Sequence, residues 1–187
     1  MNEEKEVKET KVVKETKDVK RKFTREPKKL YEDKIISIGK VTKATQGGRN
    51  FRFSATVAVG DRKGSVGIGT GKSKEIPVAV SKAIKEAEKN IIHVNLVDNR
   101  TISHEVTGVC GAAKVLIRPA KAGRGIIAGG ASRIVLELAG VKDVVAKSLG
   151  SNTQINTAKA TIQALESQRS IEHVAELRGK TVEEVLF

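Results

Sequence analysis

Between Phe51 and Val59 apolar and polar residues alternate without a break, with Phe51, Phe53, Ala55, Val57 and Val59 on one parity and Arg52, Ser54 and Thr56 on the other. Period two predicts a half-buried strand, one face to a core and one to water. Upstream, "KIISIGKVTKA" is rich in Ile and Val and predicts a strand interrupted at Gly39. Downstream, "GDRKG" reads as a turn and "SVGIGT" as a third short strand with Val66 and Ile68 inward. The period then lengthens: in "KEIPVAVSKAIKEAEKNI" the residues Ile76, Val80, Ala83, Ala87 and Ile91 line one helical face. Proline is tolerated only in a first turn, so Pro77 puts the helix start between Ser73 and Ile76. The unit is β-β-β-α over about 60 residues.

The second half repeats no motif of the first. "IIHVNLV", "TISHEVTGVC" and "AKVLIRPA" read as strands, followed by the glycine-rich loop "KAGRGIIAGGAS" and a helix "SRIVLELAG" closed by Gly140. "KDVVAKSLG" reads as a strand, and "NTQINTAKATIQALESQ" as a helix with Ile155, Ala158, Ile162 and Leu165 inward. Ser170 can cap "IEHVAELR", which stops at Gly179, and Thr181 with Glu184 forms a capping box for a last turn.

Residues 1–29 differ from all of this. They hold 11 Lys and Arg against 7 Asp and Glu, with the partial repeat "VKETKVVKET" and no sustained apolar face. Ordering them would cost more conformational entropy than burial returns, so they are expected to form a flexible basic tail. Two compact domains are expected beyond it, 30–97 and 98–187, with a junction near Asp98. The first carries 12 Lys and Arg against 6 acidic residues, the second 12 against 9.

Charge narrows the function. A formal net charge of +13 in 187 residues repels itself unless a polyanion neutralises it. No apolar run is long enough to span a bilayer, and "MNEEKEVKET" lacks the apolar stretch of a signal peptide. Cys110 is the single cysteine, which permits no intrachain disulfide and suits a reducing cytosol. Charge alone points to a cytosolic polyanion binder, the usual polyanions being nucleic acid or an acidic membrane surface; with the motifs that follow, nucleic acid is the partner expected, with no membrane and no small-molecule substrate.

"SVGIGTGKSKE" raises the possibility of a nucleotide-binding loop. A phosphate-binding loop of this type needs a glycine five residues before Gly71, and Val66 stands there instead. The spacing fails, and the glycines are expected to keep the strand edge bare and allow a tight entry to the helix. Lys72 and Lys74 are expected beside a helix N-terminus, where phosphate oxygens of an RNA backbone would be favoured. A small sheet with such a helix is the arrangement of double-stranded-RNA-binding domains, which read shape and phosphate. Around the Gly47–Gly48 turn stand Lys40, Lys43, Arg49 and Arg52, a hairpin that could approach a nucleic-acid backbone or could equally be an ordinary solvated turn. Arg62 and Lys63 add charge to the next turn. With no Trp and only five aromatic residues, stacking cannot be the main mode of binding.

In "KAGRGIIAGG" the residues Gly123, Gly125 and Gly129 are spaced one residue too long for a dinucleotide fingerprint, and no acidic residue ends a following strand at the right distance. A close-packed turn is expected there, carrying Lys121 and Arg124 outward and starting the next helix near Arg133, for RNA or a protein neighbour. His93, His104 and His173 are scattered without metal-ligand spacing, and His93 fits a structural role in a strand. No catalytic constellation, cofactor site or metal site can be nominated.

Taken in order, "VTKATQGGRNFRF", "GSVGIGTGKSKEIPVAVSKA", "GRGIIAGGASRIVLELAGVKDVVAKSLGSN" and "AKATIQAL" resemble the blocks of the bacterial small-subunit ribosomal protein five family, over roughly residues 30–186. Gln46 stands where that family usually has Lys, Gln154 where it has Pro, and Ser73 where it commonly has Ala. The resemblance implies an α+β fold of two domains. One is a double-stranded-RNA-binding-like β-β-β-α domain and the other a C-terminal α/β domain of left-handed βαβ type. It implies a structural, non-enzymatic constituent of the small subunit, bound to ribosomal RNA at the junction of body and head. There it would stabilise head orientation and contribute to translational accuracy with ribosomal protein four. Ribosomal protein eight and the messenger RNA entry region are implied as further neighbours. The stretch matching Gly129, Gly130 and Arg133 is implied to face ribosomal protein four. A free-standing RNA-binding regulatory protein is the alternative that would share the same charge.

Overall fold

The computed structural model describes residues 31–182 and residue 184. The expected tail at 1–29 lies outside the described residues. From Tyr31 onward the chain forms one compact unit holding two four-stranded sheets.

The first sheet has the order β1 (Glu32–Thr45), β2 (Gly48–Gly60), β3 (Ser65–Ser73), β4 (Ile91–His93), all antiparallel. Gly39 does not interrupt β1; the irregularity comes earlier, where the register shifts between Ile35 and Ser37. "IIHVNLV", expected as a strand at the end of 30–97, is one only over Ile91–His93, which closes the first sheet against Ser65–Gly67. Helix α1 (Ile76–Lys89) starts where Pro77 requires. Of the expected face, Ala83 and Ala87 are buried and Val80 packs beside them; Ala79 completes the stripe, while Ile76 is 40% exposed.

Gly67, Gly69 and Gly71 explain that stripe. A Cβ at any of them would run into the carbonyl oxygens of Ala87, Ala83 and Ala79 respectively. The glycines therefore do not bare a strand edge, as expected; they let a helix of alanines lie directly on β3. Gly108 does the same in the second sheet, facing Ala160 and Ala164.

The second sheet runs β5 (Val106–Cys110), β6 (Ala113–Pro119), β8 (Val144–Ser148), β7 (Ile126–Ile127), with β7 and β8 parallel. β7 was not expected; two residues in a glycine loop give no periodic signal. Between β7 and β8 lies α2 (Gly130–Leu138), which begins at Gly130 rather than near Arg133. α3 (Gln154–Glu166) buries Ala158 and Leu165 as expected, with Thr157, Ala160, Thr161 and Ala164 beside them, and Ile162 packs against the same cluster while partly buried. α4 (Ile171–Arg178) is capped by Ser170 Oγ, which accepts from His173 N–H, and ends at Gly179 in the left-handed region. Glu184 N–H donates to Thr181 Oγ1 at 3.4 Å, one half of the expected capping box.

β2 is not half-buried along its length. Val57 and Val59 pack with Ala83 and Ala87 under α1. On the opposite face Thr56 and Ala58 are also buried, and Ala58, Val66 and Ile68 join a larger cluster with Val115, Ile117, Val135, Leu138 and Leu165. The second face that alternation assigned to water is covered by the C-terminal half of the chain.

Candidate nucleic-acid interface

The β1–β2 hairpin turns at Gln46–Gly47, with Thr45 opposite Gly48, and Thr45 Oγ1 donates to the Gly48 carbonyl at 2.9 Å. Gly48 has φ of 144°, a conformation that excludes a side chain at that corner. Every residue from Ile38 to Arg52 is exposed, so this part of the hairpin stands out from the core as a two-stranded ribbon.

Register divides the expected cations between two faces. Val41 lies opposite Arg52, Lys43 opposite Asn50, and Ser54 opposite Lys72. Directly opposed residues share a face, so Lys43, Arg52 and Lys72 stand together. Lys40 and Arg49 belong to the other face, where the Lys40 Nζ sits 4.0 Å from the ring centroid of Phe51. At the step where β3 ends, a groove of about 540 Å³ brings together Lys43, Arg52, Lys72 and Lys74 with Val41, Asn50, Phe51 and Phe53.

Lys72 does not sit at the helix N-terminus as expected. Gly71–Lys72–Ser73 is the end of strand β3, and Lys74 is in the link to α1, whose cap position is Glu75. Lys72 reaches the groove from the strand, whereas Lys74, directly before the cap, stands beside the helix N-terminus as expected.

Arg62 and Lys63 lie elsewhere. Arg52 to Gly60 is eight residues of strand, about 27 Å, so the β2–β3 turn is far from the groove. That turn is docked on α2: Arg62 N–H donates to Leu138 O at 2.9 Å and Gly64 N–H to Ala139 O at 3.0 Å. The Arg62 guanidinium pairs with Glu32 at 2.7 Å. Burial pushes the Asp61 carboxyl up, but the N–H groups of Lys63 and Ser65 together outweigh it and leave its pKa below the ordinary value. Beside the turn, a hydrogen bond from Lys34 Nζ at 2.8 Å draws the Glu137 carboxyl down likewise and ties β1 to α2.

Lys121 and Arg124 form a third group, exposed on the loop before β7. Arg124 N–H donates back to Lys121 O at 3.3 Å, and Gly123 and Gly125 both have positive φ. The loop is not the close-packed turn expected: a Cβ at Gly123, Gly125, Gly129 or Gly130 would meet nothing within 4 Å. Its order comes from one buried carboxylate that residue patterns did not single out. Asp143 accepts from Gly125 N–H at 2.8 Å and pairs with Arg100 at 3.3 Å, while Arg100 also donates to Ala120 O at 3.4 Å. Gly129 caps α2, whose first residue is Gly130, and Arg133 is exposed on the helix with its N–H bonded to Gly129 O at 2.7 Å.

His93 on β4 meets Ser65 Oγ through Nδ1 at 3.1 Å. Among the described residues no cluster of three or more His, Cys, Asp or Glu could hold a metal ion, and no helix is long and apolar enough to cross a membrane.

Comparison with known proteins follows the same division of the chain. Residues 31–95 match the family model described as ribosomal protein S5, N-terminal domain, and residues 108–178 that of ribosomal protein S5, C-terminal domain. The chain is 52% identical over 154 residues to the small ribosomal subunit protein uS5 of Malacoplasma penetrans (strain HF-2). That match covers 82% of this chain and 66% of the relative, just under two thirds of its length.

Proposed function

This chain belongs to the ribosomal protein S5 family, and on that premise we propose that it is a structural, non-enzymatic constituent of the small ribosomal subunit that binds ribosomal RNA in the cytoplasm. The observation that supports RNA binding is the groove at the end of β3, where Lys43, Arg52, Lys72 and Lys74 converge from three segments and no acidic residue intervenes. Cations so placed displace condensed counterions from a phosphate backbone and fix register without reading sequence. Arg49 beside the glycine tip and Lys40 on the ribbon's other face extend that contact, and Lys121 with Arg124 supply a second one from the other sheet.

In the finer reading, residues 30–97 and 98–187 act as two RNA-contacting modules at the junction of body and head. Their shared buried cluster supports the idea that they hold two RNA segments in one relative orientation. Gly129, Gly130 and Arg133 form the surface offered to ribosomal protein four, through which the chain contributes to translational accuracy. Ribosomal protein eight and the messenger RNA entry region are the remaining neighbours in this reading.

Sedimentation of the tagged chain from a gentle lysate tests it. One copy per small subunit, with little free pool, is the expected result. A large free pool on other RNAs would instead favour a regulator working outside the particle. In isolated RNA binding, Arg52→Gln is expected to lower the salt slope by about 0.9, the value of one lost phosphate contact on a duplex.

A further inference from the structure

The cations on one face of the first sheet stand in an order that an excess of charge does not require. Counted from the hairpin tip toward the core, the rows across that face are Lys43 with Asn50, Val41 with Arg52, and Gly39 with Ser54 and Lys72. Each row holds one cation, and the cation moves over by one strand at each row, from β1 to β2 to β3. The residues beside them carry no charge, and no acidic residue lines the groove. Lys40 and Arg49, on the opposite face, take no part.

Diagonal neighbours on one face of a sheet lie about 7–8 Å apart, so Lys43, Arg52 and Lys72 form a diagonal stripe about 15 Å long. Within the reach of their long stems, that pitch follows the step between successive phosphates of one nucleic-acid strand. A reader of double-stranded RNA spreads its contacts over about 16 base pairs, well beyond the length of this stripe. The nearest further anchor would be the N-terminus of α1. Apart from Lys74 before its cap, that helix end is poorly fitted to a phosphate. Glu75 occupies the cap position, Pro77 has no N–H to donate, and the exposed side chains of the first turn include Ile76 and Val78, 40% and 39% exposed.

We propose that the groove holds a single strand of RNA, with three successive phosphates laid diagonally across β1, β2 and β3. The assignment rests on the RNA-binding reading above and deepens it by naming the form of RNA that this face takes. Arg52, at the centre of the stripe, meets a phosphate of either form. Lys43 and Lys72, at its ends, meet phosphates only of a strand that follows the diagonal.

The test uses the full chain, a ten-nucleotide oligouridylate as the single strand, and the same oligouridylate paired with oligoadenylate as the duplex. Lys43 and Lys72 are both exposed, so replacing them leaves the core intact. Lys43→Gln and Lys72→Gln are each expected to lower the salt slope on the single strand by about 0.7, one phosphate apiece, and to leave the slope on the duplex unchanged. In NMR titration with the single strand, amide shifts should centre on Lys43, Arg52 and Lys72 and leave Glu75 to Val78 in place. An equal loss of slope on the duplex, or shifts centred on Glu75 to Val78, would overturn the diagonal track in favour of a duplex reader. Unchanged slopes on both RNAs, with the chain still binding, would overturn it as well. Absence of salt-dependent binding to either RNA by the unaltered chain would overturn the RNA-binding reading itself.

Discussion

Asp143, buried at the start of β8, accepts from Gly125 N–H and pairs with Arg100, and its main-chain carbonyl accepts from Thr101 Oγ1 at 2.7 Å. The Gly125 hydrogen bond does most to lower its carboxyl below the ordinary 3.8; burial opposes this, and the Arg100 guanidinium adds to it. A carboxylate depressed on folding contributes stability that is present above 3.8 and is lost as pH falls through the folded value. Asp143→Asn is therefore expected to be less stable than the parent near neutral pH, with the difference closing below 3.8. Urea unfolding at the two pH values reads this directly. A difference that stayed constant with pH would mean that the charge does not hold the loop. At this scale the exposed cations were legible, because Lys43, Arg49 and Arg52 crowd a Gly-Gly turn in the chain itself. Asp143 was not, because its partners are 18 and 43 residues away.

Packing of α1 on β3 is decided by what three glycines lack. Gly69 lies beneath Ala83, and a methyl group there would meet the Ala83 carbonyl oxygen and the Ala87 main chain. Gly69→Ala is expected to cost about 1–3 kcal/mol, the usual range for overpacking, as measured by chemical denaturation. Lys72, exposed on the same strand, should tolerate Lys72→Gln with no comparable loss. Strands β1 to β3 and helices α1 and α3 were legible from their periods. The role of the alternate glycines was not, because a residue with no side chain carries no polarity to read. "GIGTGKS" resembled a phosphate loop because it shares glycines with one; its spacing excluded that, and its place in β3 shows the glycines serving a helix.

Across the whole unit, one buried cluster joins elements from both family domains. Leu138 of α2 is fully buried in it, and the neighbouring main chain receives the β2–β3 turn through Leu138 O and Ala139 O. Both family domains are therefore expected to unfold in one transition. Leu138→Ala should destabilise that transition by about 2–5 kcal/mol. Amide exchange should speed up in β2 and β3 as well as in β6 and β8. Faster exchange confined to the second sheet would show two independent units.

The sequence by itself determined the β-β-β-α start, the caps at Ser170 and Gly179, and the excess of positive charge. These depend on period, local hydrogen bonding and composition, each of which lies within a few residues. Only the tertiary structure decided that β2 is buried on both faces from Ala55 to Gly60 and that Lys72 and Lys74 share a groove with Lys43 and Arg52. It also decided that Arg62 and Lys63 lie far from them and that Asp143 holds the glycine loop. Those outcomes depend on which distant segments meet, and strand register and close helix contact set that geometry.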